Sequence, residues 1–165
     1  MSIAIRLETP GDEAKVHSVT KAAFAGRPYS GGNEHDIVDS LRTNGDLMLS
    51  LVALDGDNIV GHIAFSAVSI GDGTRNWFGL GPVSVAPEFQ RKQIGTALIE
   101  RGIADLRERG VGGIVLLGNP RFYSRFGFEH DPQLRYPGPP VEYFQRLILA
   151  GERPSGIVIY APAFV

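Results

Sequence analysis

Apolar and polar positions change period several times along the chain, and each change predicts an element. Ile3 to Leu7 alternates apolar with other residues as a short strand does, and Thr9-Pro10-Gly11-Asp12 follows with an N-cap, a proline at the first helical position and a capping acid. The predicted helix runs to about Phe24 and buries Val16, Val19 and Ala23. Residues from Gly26 to Gly32 read as a loop, after which Asn33 is placed to cap a second helix that buries Ile37, Val38 and Leu41 and stops near Gly45. The runs "LMLSLVAL", "NIVGHIAFSAVSI" and "NWFGLGPVSVA", separated by Asp55-Gly56-Asp57 and Gly71-Asp72-Gly73, predict an antiparallel meander.

Further along, Gly95, Leu98, Ile99, Gly102, Ile103 and Leu106 share one helical face of Gly95 to Arg109, and Gly110 ends that helix. The wholly apolar "GGIVLLG" has the composition of a strand buried on both faces, and its place after a strand and a helix pairs it in parallel through a right-handed crossover. A short "RFYSRFGF" segment, a proline-rich loop and the strand-like runs "YFQRLILA" and "GIVIYAPAF" complete the chain. With neither repeat nor linker, residues 1–165 are read as one α/β (α+β) domain, a mixed and mostly antiparallel sheet of about seven strands flanked by helices.

Composition narrows what such a domain does. With 16 Lys+Arg against 18 Asp+Glu and a net charge of −2, the surface is not built to neutralise nucleic-acid phosphates or to adhere to anionic lipid. The absence of cysteine removes disulfides, a thiolate nucleophile and cysteine-ligated zinc, and the four histidines (His17, His35, His62, His130) show no close metal-ligand spacing, so no metal is expected. No segment approaches the ~20 apolar residues that span a bilayer, and no leader is seen, which predicts a soluble, cytoplasmic protein.

The chemistry concentrates in "LGPVSVAPEFQRKQIGTALIERG", Leu80 to Gly102. Pro82 lacks an N–H, so the strand should splay or bulge near Val83 to Val85, leaving backbone groups of Val83, Ser84 and Val85 for an extended ligand. "QRKQIGT" then brings the amides of Gln90, Arg91, Lys92, Gln93, Ile94, Gly95 and Thr96 to the positive end of a helix, and the charges of Arg91 and Lys92 add to it. A phosphate or pyrophosphate suits that turn. The alternative is an ordinary strand-to-helix connection with solvated basic residues. Neither a Walker-type GxxxxGK(S/T) nor a dinucleotide GxGxxG is present.

Together with "LGNPRFYSRFGF", Leu117 to Phe128, this turn resembles the GNAT superfamily of N-acetyltransferases, and among them the small bacterial YhbS-like branch. The family turn Q/R-x-x-G/A-x-G/A matches Gln90 to Gly95, and its later Y-x-x-x-G-F segment matches Tyr123 to Phe128. The element order matches over nearly the whole chain. The resemblance implies acetyl-CoA as co-substrate and a primary amine of a small molecule or protein as acceptor. It implies that Val83 to Val85 pair with the pantetheine arm, that the Val85 amide polarises the thioester, and that Tyr123 protonates the departing thiolate. Asn119, ending the parallel strand, either bonds the pantetheine amides or only caps a turn. For the general base, Glu34 beside the glycine-rich loop and His62 on the central strand are the candidates. Each has a structural alternative, an N-terminal charge and a satisfied core histidine respectively. Gln93 departs from the family turn, which asks for a small residue there. It is the argument for a rival reading, a non-catalytic acyl-CoA-binding or sensor module of the same fold, while a turn for another nucleotide is a third. The apolar C-terminal run is a candidate homodimer surface.

Overall fold

A computed structural model describes residues 2–165. In chain order the elements are β1 (Ile3–Leu7), α1 (Glu13–Phe24), α2 (Glu34–Thr43), β2 (Leu47–Asp55), β3 (Asn58–Ile70), β4 (Trp77–Val85), α3 (Ile94–Glu108), β5 (Gly113–Leu117), the short α4 (Pro120–Tyr123), β6 (Leu134–Arg135), β7 (Phe144–Ile148) and β8 (Gly156–Tyr160). The eight strands form one mixed sheet with the path β1-β2-β3-β4-β5-β7, while β8 lies against the far end of β3 and carries β6 on its other side. Pairing along the path is antiparallel except between β4 and β5, where the crossover through α3 makes it parallel. The predicted runs are all present. The additional strand, β6, has two residues inside the proline-rich loop, too short to show any period.

Three local expectations are corrected. Helix α1 starts at Glu13 rather than within Thr9-Pro10-Gly11-Asp12, because Gly11 takes φ 101°, outside helical space. Asp12 occupies the cap position, and its carboxylate turns back to accept from the Thr9 amide (2.8 Å) and from Arg6 (2.7 Å). The Arg6 guanidinium holds that carboxyl far below the usual carboxylate range. Asn33 stands at the N-cap of α2 without a side-chain cap bond, since the cap region is tied instead by Ser30 Oγ donating to Glu34 (2.7 Å) and accepting from the Gly32 amide (2.9 Å). Ile37 is only half-buried, and α2 packs through Val38 and Leu41.

The two faces of the sheet are covered differently. Helix α3 lies on one face, its Ile94, Leu98, Ile99, Ile103 and Leu106 meeting Leu49, Leu51, Ile63 and Phe65 in the main core. Helices α1 and α2 cover the opposite face, where Val16 and Val38 close over Val52. Contact between α3 and β3 is close because Gly102 has no side chain. A Cβ there would collide with the edge of the fully buried Phe65 ring.

Gly102→Ala should therefore lower unfolding stability by about 1–2 kcal/mol, even though alanine is the better helix former by about 1 kcal/mol. Urea denaturation checks this. An unchanged or raised midpoint would mean that α3 does not depend on the small residue.

Candidate functional site

The site begins where β4 and β5 separate. They pair only from Trp77 to Gly79, against Gly113 to Val115, after which β5 continues with β7 and β4 stays with β3. Between the pairs Phe65↔Leu80 and Ile63↔Val83, β4 carries one more residue than β3, a bulge at Gly81-Pro82. Proline supplies no ladder donor there, so the expected splay at Pro82 to Val85 is present.

Strand alternation decides which groups face the gap. The Ala86 amide donates to Val60 on β3 (2.8 Å), so the backbone groups of Val83 and Val85 turn away from β3 toward the gap, and those of Ser84 turn toward β3. Ser84 is thus buried within the sheet, at 1% exposure, and does not present its backbone to the opening. The Val85 carbonyl accepts from Gln90 Nε2 (3.0 Å), which leaves its amide as the free group on that side.

Beyond β4 the chain makes a turn of left-handed residues. Arg91 sits at φ 64° and Gln93 at φ 65°, both in a region that costs an L-residue roughly 1–2 kcal/mol. Gln93 is the N-cap of α3, is exposed, and stands among the residues that line the cleft. The amides from Arg91 through Thr96 have no acceptor among the described residues. Such alternation of backbone handedness at a helix N-terminus forms an anion-binding nest. The cleft it borders has a volume of about 330 Å³, with Val85, Phe89, Arg91, Gly95, Thr96 and Phe122 among its walls. Arg91 and Lys92 are exposed, and Lys92 lies 5.6 Å above the Phe89 ring.

Gln90 differs from the rest of its motif. Its side-chain amide donates to Val85 and accepts from Arg27 (2.7 Å), so it ties the turn to β4 and to the loop after α1. Those bonds make its side chain a brace for the turn, and Gln90 also lines the cleft.

The far lip of the gap is α4. Asn119 Oδ1 accepts from the Arg121 amide (2.9 Å), which makes Asn119 the N-cap of this short helix. Tyr123 lies flat on Gly118, where a Cβ would collide with its ring, and packs edge-on against Phe122 and Phe128. Its hydroxyl makes no hydrogen bond among the described residues, and burial pushes the phenol above its ordinary pKa, so it stays protonated.

The two base candidates separate clearly. Glu34 is half-buried at the start of α2 and bonded to Ser30, beside a second cavity of about 370 Å³ walled by Lys21, Phe24, Arg27, Gly31 and His35. His62 is completely buried beneath α1 and α2. Ser50 Oγ donates to Glu8 (3.1 Å), so it accepts from His62 Nε2 (2.7 Å), leaving the lone pair on Nδ1. Desolvation, and then the charge of Arg42, push His62 down to about 3. It is a neutral core histidine and does not reach the gap. Sequence reasoning missed Arg27, Phe89, Phe122 and Arg125, whose guanidinium stacks 4.7 Å from the Phe122 ring. The only available signal was their nearness in sequence to the motifs.

A sheet parted beside an amide-lined turn makes this an α+β domain with a site suited to an extended, anionic ligand. Residues 4–130 match the family described as acetyltransferase (GNAT) domain. The uncharacterized N-acetyltransferase YhbS of Escherichia coli K12 is 34% identical over 139 residues, covering 81% of this chain and 80% of YhbS. A GNAT family acetyltransferase from Brucella melitensis, solved in complex with acetyl-CoA, is 44% identical, with a TM-score of 0.88 and 99% of each chain covered. The crystal structure of E. coli YhbS in complex with CoA also superposes with a TM-score of 0.88, covering 98% of this chain and 91% of that one. The chain belongs to the GNAT acetyltransferase family.

Two predictions follow from the strained turn and the buried imidazole. Gln93→Gly should raise unfolding stability by about 1 kcal/mol, since the left-handed conformation is free for glycine, and a lower thermal midpoint would contradict this. As pH falls below 6.5 the unfolded His62 gains a proton that the folded one refuses until about 3. Stability should thus fall by about 1.4 kcal/mol per pH unit across that window. His62→Gln should lose this component of the slope, and equal slopes in a pH series of urea unfolding would disprove the assignment.

Proposed function

We propose that the protein is a single-domain, cytoplasmic acetyl-CoA-dependent N-acetyltransferase working by direct attack in a ternary complex. The observation that carries the reading is the free edge of β4 at Val83 and Val85 beside the acceptor-free amides of Arg91 to Thr96, with Phe122, the neighbour of Tyr123 on α4, in the wall of the same cleft. Its support from relatives is that the Brucella protein was solved with acetyl-CoA and E. coli YhbS with CoA.

In this reading the amides and positive charges of Arg91, Lys92, Gln93, Ile94, Gly95 and Thr96 hold the pyrophosphate, with Gln90 bracing them. The pantetheine arm adds to the free edge of β4 at Val83 and Val85, with Ser84 as the intervening residue and Asn119 on the far side. The acceptor nitrogen attacks the thioester carbon, and the Val85 amide holds the oxyanion. The C–S bond then breaks as Tyr123 protonates the thiolate, and the proton lost by the amine restores the phenol through solvent. Burial raises the Tyr123 pKa, which suits a donor and disfavours a base. In this reading Glu34 takes a proton from an incoming ammonium directly or through water, and its support is the bond to Ser30, which lines the loop cavity. The loops at 26–33 and 131–140 shape the acceptor pocket.

Calorimetry with acetyl-CoA, and with ATP as the control, tests the binding half. Micromolar binding that prefers acetyl-CoA is expected, and no binding or equal binding of ATP contradicts it. Tyr123→Phe should leave acetyl-CoA affinity within a few-fold while cutting CoA release with an accepted amine by roughly 100-fold or more. Retention of full rate would favour another proton donor, and absence of turnover with any amine in the wild type would favour the non-catalytic module.

A further inference from the structure

We propose that His17, Asp36 and Asp39 form a divalent-cation site of the zinc class that clasps α1 to α2. None of these residues belongs to the cleft. His17 projects from α1, Asp36 and Asp39 from α2, and one donor atom from each lies within 4.8 Å of the other two. His17 Nδ1 is 2.7 Å from Asp39 Oδ2, so a hydrogen bond accounts for that pair. It does not involve Asp36, whose donor oxygen nevertheless lies within 4.8 Å of those of His17 and Asp39. Two like charges one helical turn apart repel, whereas a cation between them turns the repulsion into attraction.

The surroundings suit a dication. Arg42 is the nearby positive charge, but its guanidinium is engaged by Glu8 at 2.6 and 3.1 Å and reaches only Asp39 Oδ1, at 3.4 Å. Oδ2 is left for an ion, with Arg42 orienting the carboxylate from behind as supporting groups do at metal sites. The charge of Arg42 is balanced by Glu8, so Asp36 and Asp39 supply a net −2 against a divalent ion. His35 Nε2 lies 3.6 Å from Asp36 Oδ2 but stands outside the group of three donors, so the remaining coordination of an ion there would fall to water. Tetrahedral zinc sets its N and O donors roughly 3.3–3.5 Å apart, at bond lengths of about 2.0–2.2 Å. Side chains as exposed as Asp36 (69%) and Asp39 (41%) reach that by rotation. Mixed imidazole and carboxylate donors select zinc over magnesium or calcium, which take oxygen ligands.

Linear spacing hid this site, since its ligands come from two helices. Closing it would steady the α1–α2 hairpin, whose loop carries Arg27 to Gln90 beside the turn.

The test is calorimetric titration of zinc chloride into untagged, EDTA-treated protein, with magnesium chloride as the comparison. Expected is one zinc per chain at micromolar or tighter dissociation constant, and a loss of at least about 10-fold in affinity for His17→Ala and for Asp36→Asn. Zinc should raise the thermal midpoint of the wild type and not of the variants. Asp36 is mostly exposed, so Asp36→Asn keeps the test valid should His17→Ala fail to fold. Binding only in the millimolar range, or binding that both variants retain, overturns the proposal. Acetyl-CoA affinity measured without metal reports separately on the cleft, so the two readings fail independently.

Discussion

The structure depends on one interruption, the release of β5 from β4 after Gly79. A parallel pair ordinarily satisfies its backbone groups along its whole length. Here a bulge at Gly81-Pro82 and the turn of β5 toward β7 leave Val83 and Val85 facing an opening. Buried backbone polar groups need partners, so a strand left open on one side is tolerated where a ligand or solvent can reach it. The same parting sets α3 running away from the gap, with its unsatisfied amides at the opening.

Glycines set the geometry around that interruption. Gly102 lets α3 settle on Phe65, Gly118 lets Tyr123 lie against the end of β5, and the ring of Tyr160 covers Gly79, the last β4 residue paired with β5. Each places a large ring against bare backbone, so the gap is bordered by side chains held in packing contact. The turn itself contrasts with this, because Gln93 and Arg91 adopt left-handed backbone without being glycine. The departure from the family turn at Gln93 thus strains the chain, while the amides of Arg91 to Thr96 stay without an acceptor among the described residues.

Much of this was legible from residue order. The periods of the strands and helices, the donor missing at Pro82 and the basic turn before Gly95 are local properties, and local properties dominate where segments are long and regular. What escaped was decided by partners distant in sequence. For His62 the sequence left a core residue and a base both open, and it is α1 and α2 closing over its face of the sheet that make it a core residue. The bracing role of Gln90 depends on Arg27, which arrives from an aperiodic loop. The start of α1 turned on the positive φ of Gly11, and β6 on two residues in a proline-rich loop.

The most direct test of the parted strand is residue-resolved amide hydrogen exchange across β4, without and with acetyl-CoA. The account predicts that the Val83 and Val85 amides exchange quickly in the free protein and become protected on binding, while Ser84, directed into the ladder with β3, is protected throughout. Protection of Val85 already in the free protein, or no change on adding acetyl-CoA, would contradict a strand held open for a ligand.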